Sequence, residues 1–140
     1  MTLEEYTEKK GWLKRIIQSK ESRIRFFQDK AVNCTAGYSK TSGCTASRNV
    51  HPTEDAMVEI EALRDAIRSD KKEMKELDAA FLKELAEMEN PTLAVVLELK
   101  DVRGGTWQDV SRSMQYSVRQ VHRLHNEAAE YLRKKDSSGA

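Results

Sequence analysis

The sequence predicts an all-α protein in two parts: an N-terminal long antiparallel helical hairpin, coiled-coil-like, and a C-terminal three-helix helix-turn-helix unit. Three observations carry this. Apolar residues recur every seven positions between residues 60 and 88. Charged residues make up 34% of the 140 residues and aromatics only 6%, which suits long helices with narrow seams better than one large core. After residue 89 the chain breaks into short segments, each opened by a capping residue.

Residues 2–32 read as the first helix. Tyr6, Leu13, Ile17, Ile24, Phe27 and Ala31 mark one face. Lys10 and Lys20 fill the remaining seam positions and are expected to lay their stems along it. Gly11 weakens a helix by about 1 kcal/mol relative to Ala, so a firm start at Trp12 is expected. Residues 33–52, rich in Ser, Thr and Gly and without apolar period, read as a loop. Its two cysteines, Cys34 and Cys44, lack zinc-site spacing and read as free thiols.

Residues 53–89 form the second long helix. Thr53 is the expected N-cap, with Glu54 and Asp55 at the positive end of the dipole. Ile60, Ile67, Met74, Phe81 and Met88 supply one seam position, Leu63 and Leu77 the other, with Met57 and Leu85 on the flank. Asp70 and Glu84 interrupt the seam. A hairpin of two such stripes buries little, so a homodimer or higher oligomer through the long helices is expected.

The third block, residues 90–133, opens with Asn90-Pro91, a cap followed by a favoured first helical residue. Leu93, Val96, Leu97 and Val102 give a short helix that Gly104-Gly105 ends. Thr106 caps the next, with Asp109 three residues on. A break at Met114-Gln115-Tyr116 leads to Ser117, which opens the last helix as the S-x-x-Q box with Gln120. Val121, Leu124, Ala128 and Leu132 are its apolar face, and residues 134–140 form a polar tail. Two short helices joined by a tight turn describe a helix-turn-helix. Outward on the last helix stand Val118, Arg119, Gln120, His122, Arg123 and Asn126, with Ser117 at its start and Arg112 on the preceding helix. Arg can bind guanine bidentately, Gln and Asn can bind adenine, and Ser and Arg hold phosphates.

The string Thr106-Trp107-Gln108-Asp109-Val110 through Tyr116-Ser117 and Arg119-Gln120-Val121 to Arg123-Leu124-His125 resembles the helix-turn-helix of sigma-factor region 4. It looks closer still to sigma-like transcriptional regulators of phages and prophages of Gram-positive bacteria. The resemblance covers residues 91–133 and implies double-stranded DNA as partner, with Val118, Arg119, Gln120, His122 and Arg123 toward the promoter. RNA polymerase is a further partner it implies. Gln115 departs from the pattern, standing where many such units have a left-handed Gly.

The net charge of +1 does not oppose DNA binding. Residues 1–52 sum to +5, 53–90 to −6 and 91–140 to +2, so an acidic helix lies between basic segments. No phosphate loop, metal motif or nucleophile with a base is present, so no enzyme activity, cofactor or metal is expected. The absence of a signal peptide or apolar span points to the cytoplasm, with no membrane partner. Two alternatives remain at this level: a phage packaging protein resembling a small terminase subunit, and a coiled-coil interaction protein without a DNA role.

Overall fold

The computed structural model describes residues 1–40 and 52–138, and the side chains of 1–32 and 54–138. The chain is all-α. Helix α1 spans Leu3–Lys40, α2 Pro52–Ala86, α3 Pro91–Leu97, α4 Trp107–Met114 and α5 Val118–Ser138. A π-helical turn, Glu98–Val102, continues α3.

The first helix starts within a residue of the expected bound, without the delay to Trp12 that Gly11 suggested, and ends later than the sequence indicated. Thr2 Oγ1 accepts the Glu5 amide, and Glu4 and Glu5 face the positive dipole end, so α1 begins at Leu3 and runs through Gly11. The packing of Tyr6 and Lys10 below offsets the glycine. At its other end α1 continues to Lys40, past the expected boundary at residue 33, because adding one residue to an existing helix is far easier than nucleating a new one. The rest of the expected loop, 41–51 with Cys44, lies outside the described residues, as does the Cys34 side chain. Helix α2 begins at Pro52, a residue suited to a first turn, so Thr53 sits inside the helix rather than capping it. Residues 134–138 extend α5 rather than forming a tail.

The chain divides into two compact units: residues 12–73, and residues 1–11 with 74–140. This differs from the division expected at residue 89. In the first unit, α1 and α2 form an antiparallel pair that buries Leu13, Ile17, Ala56, Ile60 and Ile67. Asp70, the polar seam residue, meets Lys20 Nζ at 2.5 Å. Met57, expected on the flank of the seam, is 55% exposed; Ala56 takes the buried place beside it.

In the second unit the root of the hairpin joins the short helices. Leu3, Tyr6, Phe81, Leu85 and Met88 form one core with Leu93, Leu97, Ala128 and Leu132. Tyr6 stacks on Phe81, centroids 4.0 Å apart and rings within 7° of parallel. Lys10 is buried. Its Nζ donates to Tyr6 Oη (3.0 Å) and to the carbonyls of Asp101 (3.2 Å) and Val102 (2.7 Å), and pairs with Asp78 (3.2 Å). A helix C-terminus leaves its last carbonyls without intrahelical donors, and here an ammonium from another element satisfies two of them. Burial first, and the adjacent Asp78 carboxylate second, push the Tyr6 hydroxyl well above its ordinary pKa, so it stays a donor to Asp78.

Two glycines close the π-helical turn. Gly104 takes φ +72, a region costly for L-residues, and a Cβ on Gly105 would sit 3.0 Å from the Leu99 carbonyl that its own amide bonds. Asn90 caps α3 as expected, its side chain accepting the Thr92 amide at 3.0 Å. Among the described residues no helix is long and apolar enough to cross a membrane.

Candidate nucleic-acid interface

Helices α4 and α5 are positioned by local chemistry at each end. At the start of α4, Thr106 Oγ1 accepts the Asp109 amide (3.1 Å) and Asp109 returns a carboxylate oxygen to the Thr106 amide (3.2 Å). This is a full reciprocal capping box, and these bonds hold the Asp109 carboxyl below its usual pKa, with Arg112 adding a smaller effect of the same sign. At its end, Gln115 adopts φ 59, ψ 36, the left-handed conformation that glycine more often supplies. The Ser111 carbonyl accepts the amides of both Gln115 and Tyr116, and the Ser111 hydroxyl donates to the Tyr116 carbonyl. Ser111 therefore ties the turn from below with main chain and side chain together. Ser117 Oγ then accepts the Gln120 amide at 3.2 Å and starts α5.

Beneath the turn, Val96, Val110 and Val121 form a small core with Leu99, Trp107, Met114, Tyr116 and Leu124 against it. Leu124 also packs on the larger core. So α5 is held on one face along its length, Val121 toward the turn and Ala128 and Leu132 toward the hairpin root.

The opposite face is open. Ser117, Val118, Arg119, Gln120, His122, Arg123 and Asn126 are all exposed, as is Arg112 on α4. No hydrogen bond or ion pair engages Arg119 or Arg123 among the described residues. Val118, 37% exposed, can meet a thymine methyl. The structure therefore brings Ser117 to Asn126 together over the start and first two to three turns of α5, with Arg112 on the neighbouring helix.

His122 differs from the other six. Its ring stacks on Trp107 at 3.8 Å between centroids and 29° between planes. His125, one turn on, meets Trp107 edge-on at 5.0 Å and sets Nε2 2.7 Å from Asp101 Oδ2. Lys100 Nζ lies 4.9 Å from the centre of the same indole. This cluster ties α5 to α4 and to the π-helical turn, so His122 is a brace with one exposed edge. The apolar and capping pattern of the sequence gave no sign of the two imidazole partners of Trp107. The signal available was two histidines three residues apart on one helix, with a Trp at the start of the helix before it. No group of three or more metal-binding side chains occurs among the described residues.

No family model, curated protein or solved structure matches the chain.

Proposed function

We propose that the protein binds double-stranded DNA in a sequence-dependent way by setting the first turns of α5 in a major groove, as a sigma-like transcriptional regulator of a phage or prophage. One observation carries the reading: Arg119, Gln120, Arg123 and Asn126 stand exposed near the start of a helix that a left-handed, doubly bonded turn fixes against its neighbour. Base contacts concentrate at that end of a recognition helix. Arg119 and Gln120 are the base readers in this reading, Arg123 and Asn126 flank them, and Arg112 and the Ser117 hydroxyl hold phosphates. His122 keeps α5 in place through Trp107 and offers its free edge. Such a regulator works in the cytoplasm, with RNA polymerase as its second partner.

The test is a gel-shift titration across salt, with targets first selected from a random duplex library. Wild-type protein should enrich a defined motif. Arg119→Ala with Arg123→Ala should abolish the enrichment, and Arg112→Ala should weaken binding to all sequences alike and make the slope of log K against log salt shallower by about 1. Unchanged affinity, motif and slope would sink the proposal.

A further inference from the structure

The unit of residues 12–73 buries only five hydrophobic side chains among its described residues, yet of the seven exposed large hydrophobics among all described residues it holds five: Trp12, Phe26, Val32, Met57 and Val58. Trp12 and Phe26 are each 60% exposed. Their placement follows a helical rule. At about 100° per residue, Trp12, Ile16, Ser19, Arg23, Phe26 and Lys30 fall within an arc of about 80°. That stripe lies about 100° round α1 from the seam of Leu13, Ile17, Ile24 and Phe27.

Helix α2 carries a matching stripe. Asp55, Glu59, Ala62, Ala66, Ser69 and Glu73 fall within a second arc of about 80°, about 100° from the seam of Ile60, Leu63, Ile67 and Asp70 and in the same rotational sense. The helices of the pair are antiparallel, so equal rotations in one sense bring both stripes to the same side. One face of this unit therefore presents aromatic and basic residues on α1 beside small and acidic residues on α2. Residues 12–32 hold six basic and two acidic residues, and residues 54–73 seven acidic and four basic. Lys20 with Asp70 is the one cross-helix ion pair among the described residues of this unit.

We infer that this face binds a second copy of the chain, forming a two-fold symmetric four-helix bundle in which each α1 stripe lies on the α2 stripe of the other copy. An isologous interface requires a surface complementary to itself under a two-fold rotation, and large beside small with basic beside acidic meets that requirement. A two-fold axis along the bundle keeps residues at the level they have within one chain, where Lys20 is level with Asp70. At that register Phe26 faces the gap between Ala62 and Ala66 of the second copy, and Lys30 faces Glu59. Every neighbouring pair of helices is then antiparallel, the usual geometry of such bundles. The inference is independent of DNA binding.

Sedimentation equilibrium of the full chain tests it. The wild type should run at twice 16.0 kDa. Phe26→Glu should loosen the dimer about 100-fold or more with helicity by circular dichroism unchanged. Lys30→Glu and Glu59→Lys should each loosen it by about fivefold, in line with surface charge pairs. Mixing those two variants should restore the dimer as a heterodimer, since both intermolecular pairs are then of opposite sign while the pairs within each chain are of like sign. A wild-type monomer at 100-micromolar order, a ring-sized oligomer, or a dimer indifferent to both the charge variants and their mixing would overturn the inference. The mixing experiment decides the matter even if Phe26→Glu fails to fold.

Discussion

Gln115 shows how one residue sets the geometry of the turn between α4 and α5. Its φ of 59 is forced by the turn that feeds α5, and the two amides on the Ser111 carbonyl hold it there. The sequence marks this position as a departure, because a glutamine stands where glycine would fit best. The structure resolves the departure in favour of the same turn, with local strain rather than an altered path. Replacing Gln115 with Gly removes a Cβ clash of about 1 kcal/mol and adds some freedom to the unfolded chain. The expected net gain is about 0.5 kcal/mol at most, read as a slightly higher urea midpoint with unchanged slope. Gln115→Val, β-branched at the same φ, should lower the midpoint. If Gly proved destabilising, the left-handed assignment at this residue would be wrong.

Among the elements, the caps of the three C-terminal helices were legible, whereas that of α2 and the lysine clamp were not. Asn90, Thr106 and Ser117 announce helix starts because a cap needs only a side-chain oxygen and amides two or three residues on. The heptad seam was legible for the same local reason. Lys10 was legible only as a stem on a seam, because its partners Asp101 and Val102 lie about ninety residues away in a turn whose π-helical form has no apolar period. The Trp107 stack on His122 was hidden likewise, needing α5 to be docked before the rings meet. Lys10→Met keeps the stem and deletes the charge. Asp78 then keeps Tyr6 as donor but loses its cation, and two carbonyls at the end of the turn lose theirs. Asp78 is partly open to water, so the expected cost is about 2–3 kcal/mol, below that of breaking a fully buried pair. Denaturant unfolding measures it, and adding Asp78→Asn should recover part of the loss. Equal and additive losses from the two changes would show that the groups are not coupled.

For the whole molecule, the division of the chain is the feature that local patterning could not supply. Composition and capping place a boundary near residue 90, and a helix-turn-helix is familiar as a separate module. Yet five of the nine side chains in the larger core, Leu3, Tyr6, Phe81, Leu85 and Met88, come from outside residues 90–138. The remaining four, Leu93, Leu97, Ala128 and Leu132, would be left facing water along the same face of α3 and α5 that the hairpin root covers. Fully burying one such large side chain contributes about 1.5–3 kcal/mol, comparable with a sizeable fraction of the stability of a small domain. What stays buried without the root is the small group around Val96, Val110 and Val121, too little to order some fifty residues. A fragment of residues 90–138 should therefore show partial helicity, poorly dispersed amide resonances and no cooperative melt. If the chain reads DNA as proposed, the fragment should also lose motif-specific DNA retention while keeping every exposed residue of the α5 face. The full chain carrying Phe81→Ala gives the same comparison without truncation. Tyr6 would lose its stacking partner, at a cost of about 3–5 kcal/mol. DNA affinity should fall near the temperature at which that variant melts, with no change in motif. A fragment that melts cooperatively and reads the same motif as the full chain would show that the unit stands alone, and that the hairpin root only rests against it.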